Sequence, residues 1–287
     1  MSNQSSQTYP NVDVQLPAFA ALMVLHHAGY SVRRIQPGIS FSWLDGVELC
    51  SIAVMLLLLA FRRTGLALVA LLIAAVLELG ATFPVTANHA WLLLVVAAVL
   101  VSFSPLERHQ RDAFRTLQHL TATVILLTGV QKVLHGTWFQ AQFMGDFIGA
   151  KAGFGTLFDL LDPTGAELIR QMEHVTVGTG PIRSTAPLML LVSNLTWILE
   201  ILIPIGLLVP RTRTLFAWMA IGFFFMIQLA AMELTFAVLI TSMVALWLPV
   251  AQSTRFWHAM MWLTFAMTAV RLLSALPGLA WLALEFN

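Results

Sequence analysis

Charge is scarce in this chain and cysteine is nearly absent. Only 10% of the 287 residues are Asp, Glu, Lys or Arg, against about 25% in a soluble globular domain. The net charge of +1 leaves no electrostatic footprint for nucleic acid. The one cysteine, Cys50, excludes an internal disulfide and a dithiol redox pair. There is no Walker loop, no dinucleotide fingerprint and no Gly-x-Ser-x-Gly elbow. Residues 1–11 are polar, with no basic segment leading into an apolar stretch, so no cleavable signal peptide is expected.

What fills the chain instead is apolar. Hydrophobic residues make up 59% and the mean hydropathy is +0.83. Repeated apolar runs of roughly spanning length predict an all-α fold, a polytopic transmembrane helical bundle in the cell membrane. Eight spans are expected, at 43–60, 66–83, 89–103, 116–135, 187–209, 215–232, 234–250 and 256–286. The stretch 16–32 is short for a span and carries His26 and His27; it reads as re-entrant or interfacial, or as a ninth span. Residues 1–15 read as a disordered tail, and 16–287 as a single membrane domain with an extracytoplasmic loop at 136–186. Within that loop 163–175 is expected to form a short amphipathic helix, with irregular structure around it.

Arginines orient the bundle. Arg62 and Arg63, Arg108, Arg111 and Arg115, Arg211 and Arg213, and Arg255 all fall in alternate connections, which should be cytoplasmic. Arg33 and Arg34 fall on the opposite side and run against the pattern.

With that orientation, polar residues can be placed by depth. Lys132 lies near the outer end of the fourth span, with His135 three residues on and on roughly the same helical face. Asn88 and His89 open the third span at the same face, Glu78 lies about one turn below it, and Asp45 and Glu48 are close by. An ammonium in hydrocarbon costs a few kcal/mol unless paired, hydrated or deprotonated. A lysine kept neutral by desolvation can act as a general base; one close to the helix end can instead snorkel to the headgroups. Read as unpaired, the Lys132 side chain costs more stability than it supplies. Glu200 and Arg271 lie deeper, in the fifth and last spans, and call for partners: each other, Glu78 or Lys132. No metal is expected. His26 and His27 are adjacent and project in different directions, and no His-x3-His or Glu-x-x-His pair occurs on a span.

Three stretches carry a family resemblance. Ala87-Asn88-His89-Ala90-Trp91-Leu92-Leu93, Leu127-Thr128-Gly129-Val130-Gln131-Lys132-Val133-Leu134 with Trp138 after it, and Trp197-Ile198-Leu199-Glu200-Ile201-Leu202-Ile203-Pro204 followed by Arg211 and Arg213 occur in that order. Together they resemble the HTTM superfamily, the membrane domain shared with vitamin K-dependent gamma-glutamyl carboxylase. The resemblance covers about 43–249. It implies a quinone/hydroquinone cofactor of vitamin K type, with Lys132 and His89 catalytic. Lys132 would be the base that deprotonates the hydroquinone, and Asn88, Glu78, His135 and Trp138 would lie around the quinone. The oxygenated quinone would then act as a strong base toward a carbon of a peptide or small substrate, in a carboxylation-like step. Two departures stand out. The chain has no large extracytoplasmic domain to hold a peptide, and the segment Ile221 to Gln228 lacks the histidine often found there. The alternative is a non-enzymatic membrane protein: a maturation or immunity partner of a secreted peptide, or a subunit of a membrane redox complex.

Overall fold

The computed structural model of the protein describes residues 12–32, 43–82, 88–103, 110–151, 153–171, 183–231 and 233–274. Every regular element among them is helical, as the composition predicts. The chain divides into two compact units.

The first unit holds α1 (Val12–Val32), α2 (Trp43–Ala60), α3 (Thr64–Thr82), α4 (Asn88–Phe103), the start of α5 (Gln110–His135), a single 3-10 turn at Ala245–Trp247, and α12 (Val250–Ser274). The stretch expected to be re-entrant or interfacial is here one continuous helix, α1. It packs against α2, α3 and, most extensively, α12. Phe19, Ala20, Leu22, Met23 and Val24 are all completely buried, which spans more than one face. A helix apolar nearly all round belongs in a core, and this burial is why a stretch too short to read as a comfortable span forms a full helix. Phe19 fits between Trp257 and Phe114, at 5.2 and 6.1 Å between ring centroids. Gln15 Nε2 donates to Ser253 Oγ (3.2 Å), a second tie from α1 to α12. The α2–α3 connection is tight: Arg62 takes a left-handed backbone (φ 56°) and Arg63 N–H donates to Leu58 O (2.7 Å). That turn places the N-terminal end of α2 beside the C-terminal end of α3.

The second unit holds the rest of α5, α6 (Gln142–Lys151), α7 (Gly155–Leu161), α8 (Pro163–Arg170), α9 (Pro187–Leu208), α10 (Arg213–Ala230) and α11 (Leu234–Val244). Two of its helices, α9 and α10, are long and apolar enough to cross a membrane. Only 33% and 22% of their apolar windows are buried, so neither is a helix hidden in a soluble core. Elsewhere among the described residues the apolar helical stretches Gly46–Ala60, Thr64–Gly80, Ala90–Phe103 and Leu234–Trp247 are 10–17 residues long.

The 136–171 part of the expected loop is more ordered than its glycine and proline content suggests. The amphipathic helix is present as α8, with Pro163 in its first turn. Its end is capped by Asp162, whose Oδ1 accepts from Gly165 N–H (3.0 Å) and whose Oδ2 accepts from Ser184 Oγ (2.6 Å). Two further helices, α6 and α7, join it on a common core of Trp138, Met144, Ile148, Phe154, Phe158, Ile169 and Met189. About 36 residues alone would bury too little; here Met189 and Ala231, from outside the segment, complete the core. Phe154 N–H donates to Ala230 O (2.8 Å), fixing α7 to the end of α10. Residues 172–182 lie outside the described residues, as do Pro277 and the expected kink there.

Candidate functional site

Lys132 is positioned by a close helix crossing. Gly129 on α5 faces α9, where a Cβ would stand only 3.0 Å from Glu200 Cβ and Ile201 Cγ1. A side chain there would force the helices apart, so the glycine permits the approach that small residues give at helix interfaces. Lys132 lies three residues further on and so on the same face. Its Nζ reaches both oxygens of Glu200, at 2.9 Å (Oε1) and 2.8 Å (Oε2). The Lys132 side chain is 17% exposed and that of Glu200 6%. The lysine side chain is therefore partly exposed and the carboxylate is shielded.

The chain then turns to bring an aromatic over the amine. Gly136 ends α5 with a left-handed backbone (φ 69°), and its N–H donates to Lys132 O (3.0 Å). Glycine takes that conformation without steric cost. The turn brings the Trp138 ring to 4.7 Å from Lys132 Nζ, a cation–π contact. α9 holds this turn in place. Ser193 Oγ donates to Trp138 O, Asn194 Nδ2 donates to Phe139 O (3.0 Å), and Trp197 Nε1 donates to Asn194 Oδ1 (3.0 Å). Trp138 stacks on Phe143 at 5.0 Å.

Of the residues singled out in the sequence, Lys132, Trp138 and Glu200 thus come together in the second unit. His135 is exposed at the end of α5. Asn88 and His89 open α4 and Arg271 lies in α12, but their side chains are outside the described ones. Glu78 belongs to a different group, in the first unit.

That second group is formed by His27 of α1, Glu48 of α2 and Glu78 of α3. One ligand atom from each lies within 4.8 Å of the others. His27 Nδ1 is 3.2 Å from Glu78 Oε2 and Nε2 is 4.0 Å from Glu48 Oε1. The His27 side chain is wholly buried and that of Glu78 nearly so. Ser31, one turn after His27, places its hydroxyl against His27 O (2.9 Å) and Glu48 Oε1. Sequence reasoning set His27 aside because it looked for ligand spacing along one helix. These groups come from three helices, and the usable signal was the shared depth of Glu48 and Glu78, at the two ends that the α2–α3 turn brings together. Compared with known proteins, the chain matches no family model, no curated protein and no solved structure.

Proposed function

We propose that the chain is a multi-pass membrane protein in which the Lys132–Glu200 pair handles a proton for a lipid-soluble hydroquinone. The observation that carries this reading is the two-oxygen contact of a partly exposed lysine with a shielded carboxylate. Passing one ammonium proton to Glu200 leaves a neutral amine able to accept a proton from an acidic hydroxyl. Trp138 holds the amine through its ring, and the turn fastened to α9 fixes both. A hydroquinone, when bound, supplies an acidic phenol and a flat ring; an amine beside the Trp138 ring suits both features. In this reading the pair is at the extracytoplasmic side, and the proton abstraction starts a carboxylase-like modification of a peptide or small substrate.

The test uses a soluble naphthohydroquinone and the purified protein in mild detergent under air. Wild type should consume the hydroquinone above the protein-free rate and should co-purify with a quinone visible by mass spectrometry. Lys132→Ala should lose the consumption, and a small amine such as ethylamine should restore part of it. Wild-type consumption by Lys132→Ala would end the base reading.

A second reading is favoured by the Gly129 crossing. The same pair fastens α5 to α9, which a non-enzymatic membrane partner of a secreted peptide, or a redox-complex subunit, would need equally. On that reading wild type consumes no hydroquinone and carries no quinone.

A further inference from the structure

We propose that His27, Glu48 and Glu78 form a binding site for one divalent first-row transition ion of the zinc, manganese or iron type. The site is independent of the Lys132–Glu200 reading and rests on different residues in a different unit.

Three observations carry it. First, the three side chains come from three separate helices and still place one ligand atom each within 4.8 Å of the others. Shifts of under about 1 Å bring such atoms to the roughly 2.0–2.2 Å that imidazole nitrogen and carboxylate oxygen adopt around zinc. Second, His27 is completely buried, and neither ring nitrogen has a hydrogen-bond partner. Its Nδ1 is only 3.2 Å from Glu78 Oε2, yet the two are not aligned as donor and acceptor. A buried imidazole without a hydrogen bond is costly, and a metal bond satisfies it. Third, the Ser31 hydroxyl contacts Glu48, and its own helix carries His27 one turn earlier. It is placed to orient a ligand from outside the coordination sphere.

The charge and donor set narrow the ion. Two carboxylates balance a divalent cation, so the filled site is neutral with His27 as neutral imidazole. One nitrogen and two carboxylate oxygens suit zinc, manganese or iron better than an oxygen-only ion such as calcium or a thiolate-seeking one such as copper(I). Three protein ligands leave a coordination position open for water or a substrate oxygen. The filled site would also clip α1 to α2 and α3.

The experiment uses the full chain, purified through a tag that does not bind metal. After chelator treatment it is titrated with cobalt(II), whose visible absorption reports coordination number and donors. Metal content is read in parallel by plasma mass spectrometry after zinc loading and dialysis. Wild type should retain one zinc per chain and show a saturable cobalt spectrum. His27→Gln, Glu48→Gln and Glu78→Gln should each weaken cobalt binding by more than about 100-fold, and Ser31→Ala by about 10-fold. His258→Gln, an exposed histidine on α12, should leave both readouts unchanged and controls for adventitious binding. Wild type that retains no zinc and gives no cobalt spectrum overturns the proposal. So does a wild-type spectrum that persists in folded Glu48→Gln and Glu78→Gln. The wild-type titration decides even where a variant does not fold.

Discussion

Removing Lys132 alone would leave the Glu200 carboxylate with 6% side-chain exposure and without its cation. An unpaired Lys132 would have been a net cost, and its loss almost free; the pairing with Glu200 reverses that expectation. Breaking a buried pair by deleting one member costs about 3 kcal/mol or more, whereas replacing both by apolar groups of similar volume is often neutral or stabilising. Lys132→Ala should therefore lower the thermal midpoint in detergent clearly, read by tryptophan fluorescence. Lys132→Met with Glu200→Leu should return it to within about 1 kcal/mol of wild type or above. The double variant should still fail to consume hydroquinone. A double variant as unstable as Lys132→Ala would show that the two residues do not act as a pair.

At the scale of elements, two glycines of the second unit should respond in opposite ways. Gly129 meets Glu200 and Ile201 at 3.0 Å, including a backbone atom at 3.1 Å that cannot turn aside. Gly129→Val should push α9 from α5 and stretch the Lys132–Glu200 contact, losing about 1–3 kcal/mol as overpacking does. Gly222 in α10 has nothing within 4 Å of its Cβ position. Gly222→Ala should gain about 0.5–1 kcal/mol from helix propensity alone. Thermal midpoints of the two variants check both signs. The helices themselves were legible because apolar run length marks them: the expected 43–60 segment is α2 to the residue. The order within 136–171 was not, because Gly and Pro mark the ends of α7 and α8 and not a lack of helix, and their core is completed by Met189 and Ala231 from other elements. At the site, Lys132 and Glu200 could each be found as an intramembrane charge. That they pair depends on Gly129 admitting α9, a three-dimensional fact that a single glycine in an apolar run does not announce. His27 was invisible for the same reason, its partners being 21 and 51 residues away in sequence, by difference of their numbers.

At the scale of the molecule, each unit buries ionisable groups while leaving large aliphatic side chains exposed. In the first unit Leu57, Leu66, Ile73 and Leu77 are more than half exposed while His27 and Glu78 are buried. In the second, Leu188, Leu191, Ile205 and Leu215 are exposed while Glu200 is buried. Water would favour the reverse distribution, and hydrocarbon favours this one. Arginine placement would set the orientation of the proposed multi-pass bundle. Arg62 and Arg63 sit exposed in the tight α2–α3 turn, and Arg211 in the α9–α10 turn, so both turns should face the cytoplasm. The α6–α8 segment, one span away from the Arg211 turn across α9 in that scheme, should face outward. Single cysteines in a Cys50→Ser background test this with a maleimide that does not cross membranes. Leu160→Cys on α7 replaces a side chain that is 77% exposed, and Phe61→Cys at the α2–α3 turn one that is 74% exposed, so neither should be shielded by the fold. Leu160→Cys should label in intact cells and Phe61→Cys only after lysis. The opposite order would invert the bundle and put Lys132 at the cytoplasmic side. Equal labelling of both in intact cells would remove the membrane barrier between them, and with it the multi-pass arrangement.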